Sequence, residues 1–274
     1  MYKKIACLVI AFIFALCANA QIPYPVVGQY KGRSAQGMAI YKDYAFLFSD
    51  GGLCRTLNLK TGVVDGEFFL ESAGKNTHVN CACFSRQFVT GYSLPALYIT
   101  EFYGKRRCFV ELIKDGKSKL IQTIEYVNRQ GTNPFVREWI VDNKNQTLYA
   151  VIREGNRQKN NIIKKFLLPK LESGSSVILT DDNVIDEFSV VFENALQGGV
   201  IYGRNMYIAT GSSSLHGEEE YLAREIKVID LKRKVLVKSI DLKSVTMNEP
   251  EDIDFYKGRC LLYAEGTGGI YRVF

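Results

Sequence analysis

The chain has 274 residues, of which 47% are hydrophobic, and its 35 basic and 29 acidic side chains give a formal net charge of +6. This length is sufficient for one sizeable hydrophobic core. The net charge is small for the length and is not concentrated in a long basic run, so the composition argues against a nucleic-acid partner.

The first twenty residues have the pattern of a cleaved secretory signal. Lys3 and Lys4 precede an apolar run at 5–16, and Ala18-Asn19-Ala20 supplies a small-x-small cleavage site. The apolar run is shorter than the roughly 20 residues of a membrane-spanning helix. We therefore expect a signal peptide at 1–20 and a single mature domain at 21–274. That domain would be periplasmic or secreted and would contain no integral membrane segment.

The rest of the chain repeats one pattern: a short apolar strand, a tight turn and a second, aromatic-containing strand. QGMAIY at 36–41 reappears as QGGVIY at 197–202, and further copies begin at 79, 138 and 251. Each copy continues into a third strand and, except for the last, a fourth. The runs are rich in Val, Ile, Tyr and Phe, which is typical of strands. Radial packing would bury the apolar faces of such units, so the repeat predicts an all-β, five-bladed β-propeller.

The two ends of the repeat predict how the ring closes. The last copy has only three strands, at 251–256, 260–264 and 269–274, whereas an unassigned extended stretch lies at 24–30. We expect this N-terminal stretch to supply the missing outer strand of the last blade, where prolines are tolerated. A six-bladed propeller is the alternative, because 173–194 contains an extra candidate hairpin with strands at 177–180 and 188–192.

Five cysteines remain after the expected signal peptide: Cys54, Cys81, Cys83, Cys108 and Cys260. An odd number cannot pair completely, and the spacings do not form a metal-ligand motif. We expect buried, reduced thiols that act as small hydrophobic side chains. One disulfide remains an alternative in an oxidising compartment. The sequence predicts no bound metal and no cofactor.

The starts of the innermost strands predict a ligand-binding site. In a propeller these starts open on one face, around the mouth of the central channel. The candidate ligand-binding residues are Gln36, His78, Asn80, Glu138, Gln197, Glu251 and, in the long loop at 210–223, His216. Solvated turns are polar without any ligand, so that interpretation stays open. Basic loop residues on the same face, Arg153 among them, are expected to be solvated charges, with attraction of an anionic glycan as the alternative.

No nucleophile elbow, phosphate-binding loop or zinc helix is present in the sequence. The leading hypothesis is therefore an exported, non-catalytic module that binds a small polar ligand, a saccharide or peptide, at the channel mouth. A hydrolase or lyase that acts on a carbohydrate or lactone is the alternative, with Glu138, Glu249 or Glu251 working with His78. A protein-binding scaffold is a third hypothesis.

The repeat, together with the Ala-Asn-Ala-Gln processing site at 18–21, resembles secreted bacterial β-propeller proteins of the Bacteroidetes type. The resemblance extends over 21–274 at the level of architecture and matches no characterised subfamily. It implies export and a propeller fold, but it implies no ligand or reaction, because one fold supports many functions.

Overall fold

The computed structural model describes residues 35–74, 78–101, 103–154, 159–212, 222–265 and 269–274. Within these ranges the chain forms twenty β-strands and two short 3-10 helices, Leu171–Ser173 and Asp181–Asn183. The strands make five sheets, and each sheet is one blade of a β-propeller. The five innermost strands contact one another around a common axis. The five-bladed propeller predicted from the repeat is confirmed.

The blades follow the order of the chain. Blade 1 contains β1 (Ala35–Tyr41), β2 (Tyr44–Ser49), β3 (Leu53–Asn58) and β4 (Val63–Phe69). Blade 2 contains β5 (Val79–Phe84), β6 (Leu97–Glu101), β7 (Cys108–Lys114) and β8 (Lys117–Val127), with β12 (Ser176–Thr180) added at its outer edge. Blade 3 contains β9 (Val136–Asp142), β10 (Thr147–Ile152), β11 (Asn160–Leu167) and β13 (Val184–Val191).

The remaining two blades complete the ring. Blade 4 contains β14 (Leu196–Tyr202), β15 (Asn205–Thr210), β16 (Glu225–Asp230) and β17 (Val235–Asp241). In the described residues, blade 5 contains β18 (Pro250–Tyr256), β19 (Arg259–Ala264) and β20 (Ile270–Arg272). Neighbouring strands within the blades pair antiparallel, except for β12 and β8. The tight turn from β18 to β19 has positive φ at Lys257 and Gly258, as a two-residue hairpin turn requires.

The hydrophobic core is divided among the five interfaces between blades. Trp139 of blade 3 packs with Tyr98 of blade 2, for example, and Met38 of blade 1 packs in one cluster with Tyr263 of blade 5. Three further clusters join blades 1 and 2, blades 3 and 4, and blades 4 and 5. Blade 5 shares such a cluster with blade 1, so hydrophobic burial contributes to closing the ring.

The extra strands at 173–194 do not form a sixth blade. β12 pairs parallel with β8 of blade 2, whereas β13 pairs with β11 and completes blade 3. The predicted hairpin is wrong, because its two strands are hydrogen-bonded to different blades. The connection therefore links blades 2 and 3 at their outer edges.

Some of the sequence predictions concern residues outside the described ranges. The signal peptide at 1–20, the closing strand at 24–30 and His216 all lie there. Among the described residues, no helix has the length and apolar character that crossing a membrane requires. All five cysteines from Cys54 to Cys260 are buried and reduced, as the sequence predicted.

Candidate functional site

The five innermost strands share an irregularity at the same level of the propeller. Near its start, each one shifts register by one residue against the second strand of its blade. Such β-bulges bend a strand and redirect its side chains. In every blade, the residue that follows the first paired residue of the innermost strand lines the same cavity. We call these five the bulge residues; they are Gln36, Asn80, Arg137, Gln197 and Glu251.

We call this space, which has a volume of about 340 Å³, the mouth cavity. Besides the five bulge residues, its wall includes His78, Tyr103, Arg153, Glu249 and Glu265. Two of the bulge residues, Gln36 and Glu251, are 6% and 2% exposed, so the cavity wall is built from side chains already removed from bulk water. A space of this size, lined by convergent polar groups, suits a small polar ligand.

Next to the bulge residues of blades 5 and 2, Asp252 and Cys81 contact blades that are not their neighbours. The Asp252 carboxylate accepts the backbone amides of Met38 at 2.8 Å and Ala82 at 3.0 Å. The Cys81 thiol lies 3.3 Å from the carbonyl oxygen of Gly199. Blades 2 and 4, like blades 2 and 5, are not neighbours, so these contacts cross the axis. They fill it below the mouth cavity.

Three glutamates of blade 5 converge at one side of the mouth cavity. Carboxylate oxygens of Glu249, Glu251 and Glu265 all lie within 4.8 Å of one another. The amide of Gln197 donates to Glu249 at 2.7 Å, and the backbone of Glu265 donates to the carbonyl of Glu249 at 2.9 Å. Burial raises the pKa of Glu251 well above its usual range, and Glu249 and Glu265 raise it further. The fold thus holds the three carboxyl groups together.

Glu138 does not line the mouth cavity but lies directly below it. The amide of Asn80, which does line the cavity, donates to Oε1 of Glu138, whereas Oε2 is buried without a partner among the described residues. Burial and the nearby Asp252 raise the pKa of Glu138 well above its usual range, which favours the protonated carboxyl. The side chain of Asn80 therefore lies between a proton on Glu138 and any molecule in the cavity.

The aromatic rings of His78 and Tyr103 also line the mouth cavity. The rings of His78 and Tyr103 meet edge to face with centroids 4.9 Å apart. Burial lowers the pKa of His78, although Asp50 and Glu249 oppose this effect, so the neutral imidazole is favoured at pH 7. Neutral imidazole offers one donor and one acceptor.

The expectation of a solvated Arg153 is wrong. Arg153 is only 2% exposed. Its guanidinium donates to the side chain of Asn161 at 2.7 Å and to the carbonyl oxygens of Asn194 and Phe192 at 2.7 and 2.9 Å. Arginine satisfies several acceptors at once through its planar fork. Arg153 thereby holds the connection from blade 3 to blade 4 against the cavity wall.

The structure brings together most of the residues selected from the sequence. Gln36, His78, Asn80, Gln197 and Glu251 line the mouth cavity, and Glu138 lies beneath Asn80. Arg137, Glu249 and Glu265 also line it, although they were not selected as ligand-binding residues. Their signal in the sequence is position alone: Arg137 and Glu249 lie at innermost-strand starts, and Glu265 follows the strand beside β18.

Comparison with known proteins supports the fold and goes no further. No protein-family model matches the chain, and no curated protein matches it at a significant level. Among solved structures, the glutaminyl cyclase of Myxococcus xanthus is similar over 92% of both chains, with 14% identity and a TM-score of 0.52. Hydrazine synthase of Kuenenia stuttgartiensis matches 84% of this chain and 61% of its own, with 10% identity and a TM-score of 0.43. At this identity, the likeness to the cyclase establishes a shared propeller fold.

Proposed function

We propose that the protein is an exported, non-catalytic binding module that holds a small polar ligand, a saccharide or peptide, in the mouth cavity. The observation that carries the proposal is the equivalence of the five bulge residues. Each blade directs one polar or charged side chain into the same space of about 340 Å³. A single bulge is a local irregularity, but five at one level give a ring of hydrogen-bonding groups.

The arrangement suits recognition better than transport through the axis. Asp252 and Cys81 fill the axis below the cavity through contacts between blades that are not neighbours. A ligand would therefore enter and leave by the same opening. The proposed export rests on the signal-peptide pattern at 1–20 and would place the site outside the cytoplasm.

The proposal is tested by screening residues 21–274 on glycan and peptide arrays, followed by calorimetric titration of the strongest ligands. Saturable binding of one ligand per chain is the expected result. Arg137→Ala should weaken this binding, because it removes one of the five bulge side chains. Lys144→Ala, an exposed change in the turn between β9 and β10, is the matched control and should bind normally. Absence of any saturable ligand in both array types would refute the proposal.

An acid–base enzyme is the second candidate, and the buried carboxyl of Glu138 favours it. Its raised pKa favours the protonated carboxyl, and its contact with Asn80 places that proton next to the cavity, which suits a group that donates a proton. Substrates to test are glycosides, lactones and, because the neighbour in structure is called a glutaminyl cyclase, a peptide that begins with glutamine. Turnover that Glu138→Gln abolishes would support this function. Turnover unaffected by the substitution would exclude Glu138 as the proton-transfer group.

A further inference from the structure

The glutamates of blade 5 have a geometry that recognition of a neutral saccharide or peptide does not require. Glu249 immediately precedes the innermost strand, Glu251 lies at its bulge, and Glu265 follows the neighbouring strand. Their carboxylate oxygens lie within 4.8 Å of one another. Oxygens around one calcium ion lie up to about 5 Å apart, because each is roughly 2.3–2.6 Å from the metal. One cation therefore fits among the three carboxylates.

Among the described residues, one side chain at this place lacks the partner that a buried polar group normally has. Glu251 is 2% exposed, and its carboxyl lies against those of Glu249 and Glu265. Gln36, on the adjoining blade 1, is 6% exposed, and its amide oxygen is buried without a partner. Both line the mouth cavity. A buried polar atom without a partner is costly, so the amide oxygen of Gln36 points to a bound cation or hydrogen-bond donor.

We propose that Glu249, Glu251 and Glu265 bind one divalent cation of the calcium type in the mouth cavity, with the amide oxygen of Gln36 as a further ligand. The donor set consists of oxygens, which are the ligands that hard cations prefer. Calcium accepts irregular arrangements of several protein oxygens, whereas magnesium requires a near-ideal octahedron and keeps most of its waters. Gln197 fixes Glu249 by its hydrogen bond of 2.7 Å and so pre-positions one ligand.

This inference deepens the proposed function. The ion would give the cavity a local positive charge and open coordination positions for the hydroxyl or carboxylate oxygens of the bound molecule. That role rests on the proposed function. Binding of the ion itself does not, since the carboxylates are held by contacts within the protein.

The test uses residues 21–274 treated with chelator and then titrated with terbium(III), a luminescent substitute for calcium. Tyr103 lines the same cavity and can sensitise terbium emission. The expected result is one terbium ion per chain, displaced by calcium at lower concentration than by magnesium. Glu251→Gln, which keeps the shape but removes the charge, should raise the dissociation constant at least about tenfold. Glu172→Gln, an exposed substitution in the Leu171–Ser173 helix, should leave it unchanged.

A second variant keeps the test decisive if Glu251→Gln does not fold. Glu265 is half-buried, so Glu265→Gln should fold and should weaken terbium binding by a similar factor. No saturable terbium binding to the unmodified chain, or unchanged affinity in both variants, would overturn the inference. Displacement by magnesium but not by calcium would overturn the choice of ion. Ion binding is measured without an organic ligand, so an inert result on the arrays would refute the proposed function and leave the ion site standing.

Discussion

A β-carbon added at Gly198 would lie 2.1 Å from Oδ1 of Asp252. Gly198 belongs to blade 4 and Asp252 to blade 5, and the other oxygen of Asp252 accepts amides from blades 1 and 2. The absence of a side chain at Gly198 is therefore what allows one carboxylate to join three blades at the axis. Each of these hydrogen bonds lies between strands that are distant in sequence.

We expect Gly198→Ala to destabilise the fold by about 1–3 kcal/mol, as overpacking of a core does. The added methyl group must displace Asp252 from its amide partners. The matched control is Gly37→Ala, at the equivalent position of blade 1, where the added carbon would meet a Val79 methyl group at 3.0 Å. Urea unfolding of both variants checks the prediction. Equal losses would show that the contact with Asp252 has no special role.

The repeat in the sequence was sufficient to predict the number of blades and most of the cavity wall. The alignment of the copies is off by one residue in blade 2, where Asn80 rather than Val79 is the bulge residue, and in blade 3. In blade 3, the similarity of the copies makes Glu138 the equivalent of Gln36, whereas the strand register makes Arg137 the equivalent. The register is set by two pairs, Glu138 with Val151 and Val136 with Ile152, which leave Arg137 at the bulge. A slip of one residue sends a strand side chain to the opposite face. The bulge that causes this slip has no distinct signature in the sequence.

The fifth strand of blade 2 was beyond prediction for a different reason. β12 joins β8, which lies about fifty residues earlier in the chain and runs parallel to it. Local alternation of apolar residues predicts a strand but does not identify its partner. The hydrogen bonds from Gln122 of β8 to the carbonyl oxygens of Lys170 and Gly174 hold this connection, and neither is visible as a sequence pattern.

The pH dependence of stability should reveal the state of Glu138. The pKa of Glu138 is higher in the folded protein than in the unfolded chain. Its contribution to the free energy of unfolding is therefore fully present below the pKa of the unfolded chain, and it is lost as the pH rises through the pKa of the folded protein. Glu138→Gln mimics the protonated carboxyl and does not titrate. Relative to the unmodified protein, this variant should gain on the order of 1 kcal/mol in unfolding free energy between pH 5 and pH 8.

The measurement is urea unfolding at both pH values. Glu172→Gln, on the exposed Leu171–Ser173 helix, controls for the loss of one negative charge. A loss of stability in Glu138→Gln at pH 8 would show that the native protein holds this carboxyl ionised, contrary to the protonated state that its burial favours.

The cysteines should be unreactive until the protein unfolds. Burial raises the pKa of the Cys83 and Cys260 thiols to about 12, and it raises the pKa of the Cys54, Cys81 and Cys108 thiols well above their usual range. Because the thiolate is the reactive form, thiol titration of native 21–274 should find almost no reactive groups, and denaturant should release five. Rapid modification of two or more thiols in the native state would contradict the burial described for them.

Closure by the N-terminal stretch at 24–30 remains a prediction. In the described residues, β20 is the outermost strand of blade 5, so that blade has an open edge. Deletion of 21–31 should lower the melting temperature, because it would remove a strand that joins the two ends of the chain. A melting temperature equal to that of 21–274 would show that ring closure rests on the packing of blade 5 against blade 1 alone.

The most direct test of the mouth cavity as a binding site is calorimetric titration of the strongest array ligand against Gln36→Ala. The Gln36 amide oxygen has no partner among the described residues, so the substitution should leave the urea midpoint unchanged. If the cavity is the binding site, the variant should lose about 1–3 kcal/mol of binding free energy through its missing hydrogen-bonding group, while Lys144→Ala binds as the unmodified protein does. Full-affinity binding by Gln36→Ala would contradict a site in the mouth cavity and move the ligand to another surface.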